Sequence, residues 1–131
     1  QNVTALAAMW VGLLYDSDSL DNVFNLVKAL DWQSVNELSI DVCKHGMNAK
    51  INDKTLWEFG KEVLNIAQSG LQNRGSAHDI KDETLFLMPL LERVSKKQSL
   101  SSQLVNKFDS KWKNNFSTFY DDFNFYHGLR N

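Results

Sequence analysis

Residues 5–15, Ala-Leu-Ala-Ala-Met-Trp-Val-Gly-Leu-Leu-Tyr, form an apolar block with no polar side chain before its terminal tyrosine. The block is too short to span a bilayer, which takes about 20 apolar residues. No basic stretch precedes it, so it does not read as a signal peptide either. A helix apolar on every side is a buried helix, and the spacing predicts one over Ala5 to Tyr15. Asp16-Ser-Asp-Ser19 then offers capping oxygens and early negative charge for a second helix. Leu20, Val23, Phe24, Val27 and Leu30 form its one-sided stripe.

The same period continues along the chain. Ser34-Val-Asn-Glu37 fits a capping box and opens a helix carrying Val35, Leu38 and Val42. That helix closes at Lys44-His45-Gly46, with cations in the last turn and a glycine able to turn left-handed. In this reading His45 is a C-terminal charge partner. Met47 to Lys54 reads as a loop, open to an extended conformation. Thr55-Leu-Trp-Glu58 is a second capping box, and Leu56, Phe59, Val63, Ile66, Ala67 and Leu71 follow on one face. Gly75 is expected to end this helix. Ser76 to Lys81 is a polar connector, and Asp82-Glu83 favour a new start. Pro89 sits in a first turn or kinks its segment. Leu87, Leu90, Leu91 and Val94 continue the stripe. Ser99 caps a helix with Leu104, Val105, Phe108 and Trp112. Phe116, Phe119, Tyr120, Phe123 and Tyr126 form an aromatic stripe at the end. No convincing alternating strand pattern occurs. The fold expected is all-α, a compact multi-helix domain of five to seven helices with little or no sheet, over residues 1–131 as a single domain.

Composition narrows the function more than it names it. A net charge of −2 gives no global pull toward nucleic acid or anionic lipid. Lys96-Lys97 and the Lys107, Lys111, Lys113 group beside Trp112 read as solvated helix faces, so neither nucleic acid nor membrane is expected as a partner. Cys43 is the one cysteine, which excludes an internal disulfide, favours a reducing compartment and gives the expectation of a cytoplasmic protein. His45 lies two residues from Cys43, a spacing that does not pair side chains on a helix. Asn2-Val-Thr4 and Asn115-Phe-Ser117 fit the glycosylation pattern, which has no meaning in that compartment. His45, His78 and His127 match no metal spacing. Phosphate-loop, dinucleotide, zincin and nucleophile-elbow motifs are all absent. The pairs Asp16/Asp18 and Asp121/Asp122 read as caps and solubilising charge. No catalytic residue, metal ligand or cofactor site is expected in the chain itself.

Three landmarks, in order, carry a resemblance. The first is Trp10-Val-Gly-Leu-Leu-Tyr-Asp16 with Leu20-Asp21 and Asp31-Trp32. The second is the helix with Leu56, Glu62-Val-Leu, Ile66-Ala67, Gly70-Leu71 and Arg74. The third is Asp82-Glu83, Phe86-Leu87, Pro89-Leu90, Glu92, Val94 and Trp112. Together they resemble the C-terminal region of glutamate–cysteine ligase of the bacterial and plant type, over nearly all of the chain. The resemblance implies a piece of a larger ATP-dependent enzyme that makes γ-glutamylcysteine, the first step of glutathione biosynthesis, with ATP and magnesium used by the parent. It also implies that a glycine-rich, glutamate-binding stretch and a β-sheet catalytic domain lie upstream, that this domain is the chain's partner, and that the isolated chain is inactive. Trp10 and Tyr15 are the residues then expected near a substrate cavity. Leu6, Met9, Trp10, Leu13 and Leu14 are expected at the domain interface, or in a homo-oligomer that hides it. Two stretches depart from the family pattern. Ala49-Lys50-Ile51-Asn52 stands where relatives have Thr-Pro-Phe-Arg, and Lys113-Asn-Asn-Phe-Ser-Thr118 replaces a glycine-rich segment. The rival reading is a non-enzymatic all-α interaction module.

Overall fold

The computed structural model describes residues 2–79 and 81–123, with side chains except at positions 2 and 121–123. The chain forms two compact units, Gln1–Lys97 and Gln98–Asn131. The first holds α1 (Asn2–Leu14), α2 (Ser17–Val27), α3 (Trp32–His45), a short hairpin of β1 (Lys50–Ile51) and β2 (Lys54–Thr55), α4 (Leu56–His78) and α5 (Met88–Ser95). Single turns of 3-10 helix at Gly46–Asn48 and Glu83–Leu87 lead into the hairpin and α5. The second unit holds α6 (Leu100–Ser110) and α7 (Phe116–Phe123). The expected all-α architecture holds, with seven α-helices among the described residues and one two-stranded sheet.

The caps explain most boundaries. Asp16 accepts from the Ser19 amide at 2.9 Å and starts α2 where its sequence pattern begins. Thr55 and Glu58 form the reciprocal capping box of α4. Ser99 caps α6 through the Ser102 amide. Several boundaries differ from expectation: α1 runs Asn2–Leu14, α2 ends at Val27 short of Leu30, α6 ends at Ser110 short of Trp112, and two more turn on their caps. The Ser34 to Glu37 box is not used: Asp31 accepts from the Ser34 amide at 2.8 Å, so α3 begins at Trp32 and absorbs the box. An ionised carboxylate three residues earlier is a competent cap, and the helix starts at the first one available. Gly75 does not end α4. The helix runs on to His78, and Asp79 takes the left-handed conformation at φ 50° with its amide bonded to the Gly75 carbonyl. Asp is among the few residues that tolerate this geometry, so the glycine was not needed for it. Pro89 sits in the first turn of α5, where its missing N–H costs nothing. The turn joining β1 to β2 places Asn52 and Asp53 at φ 47° and 63°, as a tight hairpin requires.

Helix α4 is the axis of the first unit. Ala8 and Leu13 of α1, Leu64, Ala67 and Leu71 of α4, and Leu87 form its buried cluster, with Val23, Leu90 and Val94 packed around it. The α1–α4 crossing is close because it is made of glycine and alanine. A Cβ on Gly12 would lie 2.1 Å from the Ala67 carbonyl oxygen, and one on Gly70 would lie 1.9 Å from that of Gly12. The two backbones therefore touch, which only glycine permits. Ser19 is buried beside this crossing, and its hydroxyl donates to the Ile66 carbonyl at 3.3 Å, tying α2 to α4.

The second unit packs aromatic side chains on one another. Trp112 is buried, with its ring edge-on to Phe119 at 5.1 Å between centroids, and Phe108 lies 4.8 Å from Phe116. The rest of the expected aromatic stripe, the Phe123 side chain and Tyr126, lies outside the described residues.

Candidate functional site

The apolar block of α1 resolves into two faces. Ala5, Ala8, Gly12 and Leu13 turn inward, and Met9 and Val11 pack partly buried against the same core. Val3, Leu6, Trp10 and Leu14, spaced as one helical stripe, face outward, with Trp10 55% exposed. Leu13, expected at the interface, is therefore a core residue, and Met9 belongs mostly to the core. The glycine at position 12 decides this, because α1 approaches α4 where no side chain intervenes, and Leu13 follows into the core. An apolar stripe of this size on a surface is unusual unless something covers it.

A polar cluster closes the C-terminal end of α1. Tyr15 is exposed, and the Arg74 guanidinium of α4 lies 5.6 Å from the centre of its ring, within cation–π range. Glu83 Oε2 is 3.7 Å from Arg74 Nε, an ion pair too long for a hydrogen bond. That oxygen is shielded from solvent and accepts no hydrogen bond. The neighbouring Asn73 donates to both oxygens of Asp16 at 3.2 and 3.3 Å. Hydrogen bonding from Ser19, helped by Asn73, holds the Asp16 carboxyl below its ordinary range. Consecutive residues of α4 thus clamp the Tyr15-Asp16 turn. Trp10 and Tyr15 both reach the surface of this end of the unit. Arg74 and Glu83 were missed as a site from the sequence. Their spacing of nine residues crosses a helix end and matches no motif, and only the fold brings them together.

A second polar group joins α3 to the hairpin. His45 lies in the last turn of α3, where its Nδ1 is 2.6 Å from Asp41 Oδ1, while Asp41 Oδ2 accepts from the Lys50 amide at 3.3 Å. The His45 contact, above all, holds the Asp41 carboxyl below its ordinary value. Cys43 is exposed. Among the described residues no three or more His, Cys, Asp or Glu side chains gather as a metal site, and no helix is long and apolar enough to cross a membrane. His127 lies outside the described residues. What the described residues offer is an exposed apolar face on α1 and an arginine set against an aromatic ring.

Comparison with known proteins gives these features a setting. No protein-family model matches the chain. The chloroplastic glutamate–cysteine ligase of Solanum lycopersicum is 31% identical over 114 residues, covering 86% of this chain and 20% of the ligase. That of Medicago truncatula is 28% identical over 122 residues, covering 93% and 23%. That of Arabidopsis thaliana is 31% identical over 114 residues, covering 86% and 20%. The chain thus corresponds to a region of that enzyme and spans about a fifth of the length of the relatives it matches. The expectation of a cytoplasmic protein is overturned by the same relatives, which are chloroplastic enzymes. The single unpaired cysteine speaks only to redox conditions, and a reducing environment does not single out one compartment.

Proposed function

We propose that this chain is the C-terminal helical region of an ATP-dependent glutamate–cysteine ligase and that the chemistry is carried by the rest of the enzyme. The observation that carries the reading is the match to several plant ligases over at least 86% of the chain. In the reaction, the γ-carboxyl of glutamate takes a phosphoryl group from ATP. The cysteine amine then attacks the acyl phosphate, an amide bond forms and phosphate leaves. Magnesium supplies charge neutralisation in such a transfer. The donor set here does not fit that ion, since no three carboxylates or imidazoles converge among the described residues. Its ligands belong to the other four fifths of the enzyme.

The part this chain plays is structural support. Its outward α1 face of Leu6, Trp10 and Leu14 seats on the preceding catalytic domain, and the Gly12–Gly70 crossing fixes the angle of that face against α4. The test is to express the full reading frame that contains these residues and assay γ-glutamylcysteine formation from glutamate, cysteine and ATP. Product dependent on all three supports the proposal, with no product from the isolated chain. A full-length protein that folds and makes no product favours the non-enzymatic interaction module.

A further inference from the structure

We infer that Arg74 is an oxyanion-binding residue, presented to a carboxylate or phosphate ligand by the ring of Tyr15. The argument starts from an imbalance. A guanidinium carries five N–H donors in a planar fork, and a buried one is normally hydrogen-bonded. The Arg74 side chain is only 29% exposed, yet it makes no hydrogen bond among the described residues. Glu83 Oε2 stands 3.7 Å from its Nε and is itself left without a donor. Glu83 is close enough to hold the cation in place but too far to use its donors. The Tyr15 ring, just past the end of α1, lies 5.6 Å from the guanidinium carbon, within cation–π range.

A planar fork set beside a ring and a carboxylate, with no hydrogen bond among the described residues, suits one class of ligand, the paired oxygens of a carboxylate or phosphate, which it takes bidentately. Lysine at this place would supply the charge without the fork. Tyr15 is 75% exposed, so the site opens to solvent. Asn73 and Asp16 fix the turn that carries the ring, so the stack does not depend on a mobile loop. The identity of the ligand rests on the proposed function, in which glutamate supplies carboxylates and ATP supplies phosphates. The presence of an oxyanion site does not depend on it.

The experiment is calorimetric titration of the full-length protein with glutamate and, separately, with inorganic phosphate, for the natural sequence and for Arg74→Gln, Arg74→Lys and Tyr15→Leu. Binding of at least one ligand is expected to weaken about tenfold in both arginine variants, as for loss of a bidentate charge-assisted contact, and less in Tyr15→Leu. The ligand affected distinguishes a carboxylate from a phosphate site. Affinities for both ligands within twofold of the natural protein in a folded Arg74→Lys overturn the inference, including the case where only melting temperature falls and Arg74 serves an acidic side chain of its own polypeptide. A natural protein that makes no γ-glutamylcysteine but binds phosphate through Arg74 sinks the proposed reaction and leaves the oxyanion site standing.

Discussion

Two glycines of α4 separate the effect of a methyl group from the effect of its place. A Cβ on Gly60 would meet nothing nearer than a Val94 methyl at 3.9 Å, whereas one on Gly70 would meet the Gly12 carbonyl at 1.9 Å. Gly60→Ala should stabilise the protein by about 0.5–1 kcal/mol through helix propensity alone. Gly70→Ala should destabilise it by about 3 kcal/mol, since backbone must move to admit the methyl. Urea melts of the two variants check both signs, and equal effects would mean the crossing is looser than described. Acid sensitivity is also decided residue by residue. Glu58 is held below its ordinary 4.5 by the Thr55 amide first and the Thr55 hydroxyl second. Asp31 and Asp82 are lowered by the hydroxyls of Ser34 and Thr84 first and by their amides second. A carboxyl depressed on folding contributes stability above its unfolded value and loses it as pH falls through the folded value. Melting temperature should therefore hold from neutral pH down to the ordinary carboxylate range and fall below it. Thr55→Ala should flatten that fall while lowering stability at neutral pH by about 1 kcal/mol. That variant keeps the Thr55 amide, so an unchanged acid limb in it would assign the shift to the amide alone, and an unchanged limb in Glu58→Gln would remove Glu58 from the account.

At the scale of elements, what was legible in the sequence is what local chemistry decides. The starts of α2, α4 and α6 follow from Asp16, Thr55 and Ser99, because a cap and its amide lie within three residues. The end of α4 was not legible at Gly75, since a glycine permits a left-handed turn without imposing one and Asp79 could take it instead. The two faces of α1 were not legible either. Leu13 and Leu14 are equally apolar, and only the approach of α4 to Gly12 sends one inward and leaves the other 50% exposed. The site follows the same division: Trp10 and Tyr15 stand out as aromatics in the sequence, while the Arg74–Glu83 pair exists only through tertiary placement. In the second unit the expected stripe holds only at its end: α6 stops at Ser110, Leu104 and Val105 are exposed, and the buried tryptophan lies in the turn beyond the helix. Trp112 is 3% exposed against Phe119, so Trp112→Ala should cost about 3–5 kcal/mol. A loss below about 1 kcal/mol in denaturant melts would show that this ring does not hold the unit together.

For the molecule as a whole, the exposed stripe of Leu6, Trp10 and Leu14 sets its behaviour in isolation. Without the catalytic domain proposed to cover it, the stripe is bare, and symmetric pairing is the commonest way to hide such a face. Sedimentation of the isolated chain should show concentration-dependent association, reduced by Trp10→Ser with Leu14→Ser. A clean monomer at high concentration would mean that the stripe is tolerated uncovered. The Gly12–Gly70 contact has a consequence in time as well as in space. Helices that meet through side chains can part slightly and close again, one rotamer at a time. Backbones already in contact leave no such partial opening, so the α1 amides near Gly12 can lose protection only when the middle of α4 gives way with them. Hydrogen exchange around Val11–Leu14 and around Ala67–Leu71 should then share one opening free energy, while the first turn of α1 exchanges faster and alone.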